Sequence, residues 1–130
     1  MTTLLLVEDN EMNRDMLSRR LARRGYTVTV AVDGLTGVSA AQSTLPDLVL
    51  MDIGLPDIDG LVATRRLKAD ERTRRIPIVV LTAHAMAEER ARTIAAGCDG
   101  HLTKPIDQLE LLTTLQRFLA LQTEGGSSFS

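Results

Sequence analysis

The feature that most constrains this chain is an alternation. Five short, largely apolar runs (Leu4–Val7, Thr27–Val32, Asp47–Met51, Ile78–Leu81 and Gly100–Thr103) are separated by longer segments with helical periodicity. Unbroken apolar runs of this length suit strands covered on both faces. The first and third are the most apolar, as central strands should be, and the second is polar enough for an edge. The intervening segments carry helix signals. Asn10 can cap a helix to about Arg24, with Met12, Met16, Leu17 and Leu21 on one face. Asp33 can cap a second, with Leu35, Val38 and Ala41 inward, ending before Pro46. Asp59 can cap a third, to about Ala69. A fourth runs from about Met86 to Ala96 and stops at Gly97. A fifth runs from Asp107 to about Leu121, with Leu109, Leu112, Leu115 and Leu119 at helical spacing. Strict alternation of strand and helix calls for a parallel sheet with helices on both faces. The expected fold is therefore an α/β, doubly wound (βα)5 domain, flavodoxin-like, with strand order 2-1-3-4-5. It should occupy residues 1–121, followed by a Gly/Ser-rich disordered tail over 122–130.

Composition agrees and excludes several classes. With 130 residues, 44% hydrophobic and 25% charged, the chain is globular and can bury a core without staples. The single cysteine, Cys98, leaves no internal disulfide framework and is expected to be buried and inert. The net charge of −2 argues against nucleic acid as a partner. Solvated helix faces or loops account for the basic clusters at Arg19-Arg20, Arg23-Arg24 and Arg72–Arg75. No run approaches a membrane span and no secretory signal is visible, so the expected location is the cytoplasm.

In open α/β sheets, ligands bind beyond the carboxyl ends of the strands. Those ends carry Glu8 and Asp9 after the first strand, Asp52 after the third, Thr82 after the fourth, and Lys104 followed by Pro105 after the fifth. Singly, each is better explained as a turn residue, a cap or a surface lysine. Together they put three carboxylates, a hydroxyl and an amine on one rim. Three close carboxylates cannot all ionise without a counter-charge. Mg²⁺, which takes oxygen ligands and shares its shell with phosphate oxygens, supplies one. Lys104 offsets part of the remainder, and Thr82 can donate to a phosphoryl oxygen. Asp52, ending a central strand, is the best nucleophile for an aspartyl phosphate. Glu8 and Asp9 are better placed as metal ligands.

The stretches Leu6-Val7-Glu8-Asp9-Asn10, DLVLMDIGLPDIDG (Asp47–Gly60), IVVLTA (Ile78–Ala83) and GCDGHLTKPI (Gly97–Ile106) resemble the response-regulator receiver domain (CheY-like) from about Thr3 to Leu121. The chain looks most like stand-alone receivers of the DivK type. The resemblance implies that Asp52 is the phosphoacceptor. It implies that Glu8, Asp9, Asp52 and the Gly54 backbone carbonyl hold Mg²⁺, and that Thr82 and Lys104 contact the phosphoryl group. It also implies a cis Lys104–Pro105 bond and a switch in which Thr82 moves with an aromatic on the fifth strand. Here that position is His101, a departure from the usual Tyr or Phe. Gly54 and His84 would border the phosphorylation site.

The implied function is two-component signal transduction. A sensor histidine kinase or histidine phosphotransfer protein donates to Asp52. With no output domain expected, the signal passes to a downstream protein through the helix 4–strand 5–helix 5 face. The protein would be a monomer or weak dimer that assists only its own phosphorylation and dephosphorylation.

Other readings fit less well. A phosphorylation-independent binding module should have lost a member of the acidic set. A haloacid-dehalogenase-like phosphohydrolase needs a second Asp where Gly54 stands. A flavin-binding flavodoxin needs aromatics to stack the ring, and Glu8-Asp9 would repel its phosphate. Asp57 and Asp59 are better read as turn and cap residues than as a metal loop. His101 can also be a packed or surface residue, and the methionines, Met12 and Met16 among them, core filler.

Overall fold

The computed structural model describes residues 2–83 and 86–127, with side chains described as far as residue 120. The elements are β1 (Thr3–Val7), α1 (Glu11–Arg23), β2 (Thr27–Ala31), α2 (Gly34–Thr44), β3 (Leu48–Asp52), α3 (Gly60–Ala69), β4 (Ile78–Thr82), α4 (Ala87–Ala96), β5 (Gly100–Thr103) and α5 (Gln108–Ser127). The strands pair in parallel in the order β2-β1-β3-β4-β5, the doubly wound topology expected from the alternation. Central β1, β3 and β4 are almost wholly buried, whereas β2, at an edge, is mostly exposed.

Successive strand side chains point to opposite faces, so the sheet divides its residues by parity. Leu5, Val7, Val49, Met51, Ile78 and Val80 form one core with residues of α2, α3 and α4. Leu4, Leu6, Leu48, Leu50, Val79, Leu81 and Leu102 form the other with residues of α1 and α5. Both cores are aliphatic, which is how a chain with one Tyr, two Phe and no Trp reaches close packing.

The helix ends follow the expected chemistry. Asn10 caps α1 through the Asn13 N–H, Asp33 caps α2 through Thr36, and Asp59 caps α3 through Leu61 and Val62. Gly25 and Gly97, after α1 and α4, both take φ of +94°, a left-handed turn that suits glycine.

Some expected faces are wrong. Met12 and Met16 are 79% and 40% exposed, so α1 packs through Leu17 and Leu21 instead. At 3.6 residues per turn, both methionines sit roughly 100° or more around the helix from Leu17. Leu35 and Leu109 are exposed as well. The buried line of α5 is Leu111 and Leu115, with Phe118 and Leu119 packed beside it. Helix α5 also continues to Ser127, past the end expected near Leu121. The backbone of 122–127, part of the tail expected from the sequence, continues that helix. Residues 128–130 of that tail lie outside the described residues, as does His84.

Candidate acidic cleft at the carboxyl ends of the strands

The sheet register assembles the site. Val7 pairs with Met51, so the next rung brings Glu8 abreast of Asp52, the last residue of β3. Thr82 pairs with Thr103, so Lys104 leaves β5 beside the end of β4. The Lys104 N–H donates to the Thr82 carbonyl at 2.7 Å. Parity then sorts the side chains. Glu8, Asp52 and Lys104 share the parity of the α1/α5 core, whereas Thr82 and His101 share that of the face toward α4.

On the first face the charges are in contact. Lys104 Nζ lies 3.0 Å from Glu8 Oε1 and 3.2 Å from Asp52 Oδ1. Glu8 is fully buried and Asp52 nearly so, while Asp9 is exposed at the mouth. One carboxylate oxygen from each of Glu8, Asp9 and Asp52 falls within 4.8 Å of the others. Burial pushes the Glu8 carboxyl up to about 7, with its contact to Asp52 adding to the rise and Lys104 opposing it. Burial alone would lower the Lys104 ammonium, but the bond to Glu8 and the charges of Asp52 and Glu8 outweigh it, and the net shift is upward. A single amine therefore does not offset the burial and crowding of these acids. Oxygen atoms bound to one Mg²⁺ lie about 3–4 Å apart, so these three hard ligands fit that ion after a small contraction.

The surrounding loops hold this arrangement. The Asn10 N–H donates to Glu8 Oε2, and the Arg14 guanidinium donates to the Glu8 and Asp9 carbonyls at 2.9 and 3.3 Å. Gly54 lines the cleft and donates its N–H to Asp52 Oδ1 at 3.2 Å. Gly60 donates to the Ile53 carbonyl, and any Cβ there would overlap the Asp52 carbonyl oxygen, so only glycine lets α3 start this close to β3. Asp59 caps α3, as expected, but Asp57 reaches across to α2. It accepts the Gly34 and Leu35 N–H groups at 2.7 and 2.8 Å. Burial raises its carboxyl, but backbone hydrogen bonds from Leu35, Gly34, Ile58 and its own N–H together outweigh that, and the net shift is downward. Both acids are thus helix caps, one of them non-local. The Lys104–Pro105 peptide is cis.

On the second face, the Thr82 hydroxyl donates to Glu89 Oε1 of α4 at 3.0 Å. Beside it, Arg90 Nε donates to His101 Nε2 at 3.2 Å. Sequence reasoning singled out neither Glu89 nor Arg90, nor Arg14. All three are charged helix residues of ordinary appearance, and no spacing rule links them to the strand ends. Glu8, Asp9, Asp52, Gly54, Thr82, Glu89 and Lys104 together line a cleft of about 370 Å³. Cys98 is partly buried against the α2–α4 core, and burial pushes its thiol up.

Residues 4–116 match the response regulator receiver domain family. The chain is 36% identical over 117 residues to the polar-differentiation response regulator DivK of Brucella ovis, covering 90% of this chain and 95% of DivK. It is 37% identical over 119 residues to the DNA-binding dual master transcriptional regulator RpaA of Synechocystis, covering 92% of this chain but only 49% of RpaA. Among solved structures, the receiver domain of sensor histidine kinase PA1611 from Pseudomonas aeruginosa, which has a magnesium ion coordinated in its active site cleft, is 40% identical with a TM-score of 0.86. That match covers 92% of this chain and 98% of the other. The chemotaxis protein CheY4 of Vibrio cholerae is 31% identical with the same TM-score, covering 91% and 98%. The family binds Mg²⁺ in its active site and interacts with histidine kinases and other proteins. Among the described residues, no helix is long and apolar enough to cross a membrane. The chain belongs to the response regulator receiver domain family, the phosphoryl-accepting signalling modules of two-component systems.

Proposed function

We propose that Asp52 is the phosphoryl acceptor, with Glu8 and Asp9 as its partners in holding Mg²⁺. The observation that carries this reading is the Lys104 ammonium lying between Glu8 and Asp52 inside a carboxylate cluster at the end of β3. An Asp52 oxygen attacks the phosphorus of a phosphohistidine. The new O–P bond forms as the N–P bond breaks, and the imidazole leaves with the electron pair. Lys104 neutralises charge on the transferred group, and Thr82 donates a hydrogen bond to one of its oxygens. Mg²⁺, held by Glu8, Asp9, Asp52 and the Gly54 carbonyl, would neutralise charge on the phosphoryl oxygens. Water reaching the same cleft would later hydrolyse the aspartyl phosphate, so the protein assists only its own phosphorylation and dephosphorylation.

The donor is a sensor histidine kinase or a histidine phosphotransfer protein in the cytoplasm. The downstream protein would dock on the α4–β5–α5 face, a reading supported by Met86, Ile94 and Leu109, which are exposed there. The protein would act as a monomer or weak dimer.

Intact mass after incubation with Mg²⁺ and acetyl phosphate tests the acceptor. The expected result is one added phosphoryl group that requires Mg²⁺ and is lost in Asp52→Asn. Uptake that persists in Asp52→Asn, or no uptake at all, would overturn it.

A further inference from the structure

A hydroxyl has one proton to donate. In this structure the Thr82 proton goes to Glu89, at 3.0 Å, on a half-buried side chain that lines the same cleft as Asp52. A phosphoryl group on Asp52 would need that same proton, and Glu89 would also turn a carboxylate toward an incoming anion. From these contacts we infer that Glu89 is a positioning residue. It competes with the phosphoryl group for the Thr82 hydroxyl and holds the first turn of α4 against β4 until the phosphoryl group takes the hydroxyl over. This inference rests on the reading of Asp52 as acceptor.

The hold matters because α4 has few others. It buries only Thr93 and Ala96, both toward its C-terminal end, and its N-cap residue Met86 makes no side-chain cap bond. Among the described residues, a second polar tie is the Arg90–His101 bond one residue further on. Two adjacent residues of one helix turn thus reach the two positions named as switch residues. Losing the Glu89 contact frees the end of α4 that lies nearest the cleft and couples the cleft to the exposed surface of that helix.

Acids are also favoured in the first turn of any helix, and Glu88 sits there too. That simpler role has no dependence on Thr82, which is what a double-mutant cycle detects. Beryllofluoride with Mg²⁺ is the probe. Its affinity is read from amide shifts in the wild type, Glu89→Ala, Thr82→Ala and the double variant. Glu89→Ala should bind about five-fold tighter than wild type, the size of one net hydrogen bond. Once Thr82 is Ala the gain should shrink to what relief of the carboxylate's repulsion supplies. Glu89→Gln keeps an acceptor oxygen and should fall between. Equal gains with and without Thr82, or no gain in a wild type that does bind, would overturn the inference. The Thr82 methyl resonance, recorded without any donor, should move in Glu89→Ala, and an unmoved resonance also sinks it. A wild type that takes no beryllofluoride while that resonance does move would locate the failure in the acceptor reading, leaving nothing for Glu89 to compete with.

Discussion

The α1 side and the α4 side of the cleft are held by different forces. On the α1 side, Leu17 and Leu21 are buried in the core, Asn10 caps the helix, and Arg14 clamps the Glu8 and Asp9 carbonyls. Glu8 follows β1 and Asp52 ends β3, two almost wholly buried strands, and Lys104 bridges the two carboxylates. On the α4 side, the helix buries only Thr93 and Ala96, lacks a side-chain cap, and leaves Met86 and Ile94 more than 70% exposed. Its first turn is tied down by polar contacts to Thr82 and His101. Apolar burial is non-directional and is lost only by unfolding, whereas a polar tie can be exchanged for another partner. The proposed function, binding on one wall and signalling through the other, would use that asymmetry.

The comparison breaks first on packing. Leu21→Ala should cost about 2–5 kcal/mol in urea unfolding, and Ile94→Ala no more than about 0.5 kcal/mol. Similar losses at both positions would mean that α4 is as firmly packed as α1.

A second, smaller effect concerns Glu8. Its folded carboxyl stands at about 7 against 4.5 unfolded. Between those values the folded protein holds a proton that the unfolded chain has released, so stability falls as pH rises through the window. Without Mg²⁺ the loss should be about 1–3 kcal/mol between pH 4.5 and 7.5. Glu8→Gln should flatten it, and millimolar Mg²⁺ should narrow it by replacing the proton. A Glu8-independent slope in thermal melts would reject the assignment. The raised Lys104 acts in another range, its contribution being complete below 10.5 and lost at higher pH.

The caps give the smallest contrast. Asn10→Ala should destabilise by about 0.5–2 kcal/mol, whereas Met86→Ser, at an extended N-cap without a side-chain bond, should stabilise by up to about 1 kcal/mol. Denaturant midpoints measure both. No gain from Met86→Ser would mean that the start of α4 is already satisfied.

The elements were legible because their signals are local. Apolar runs marked the strands, and Asn10, Asp33 and Asp59 announced three helices before any contact was known. The carboxylate cluster was legible too, because a parallel sheet carries every strand's C-terminal residue to one rim. Helix faces were less so. Met12, Met16, Leu35 and Leu109 have apolar side chains at plausible spacing, yet only the angle at which each helix meets the sheet selects its buried line. Asp57 shows the same limit, since it caps a helix 23 residues earlier in the chain.

The sequence by itself determined the strand order class, the rim, and the residues Glu8, Asp9, Asp52, Thr82 and Lys104 that gather there. These follow from periodicity and from residue chemistry at strand ends. Only the tertiary structure decided which groups touch. Strand parity sends Glu8, Asp52 and Lys104 to one face and Thr82 to the other, and the docking of α4 then delivers Glu89 and Arg90 to Thr82 and His101. Such partners are set by how a helix sits on a sheet, a geometry fixed by packing across the whole core that leaves no local trace in the chain.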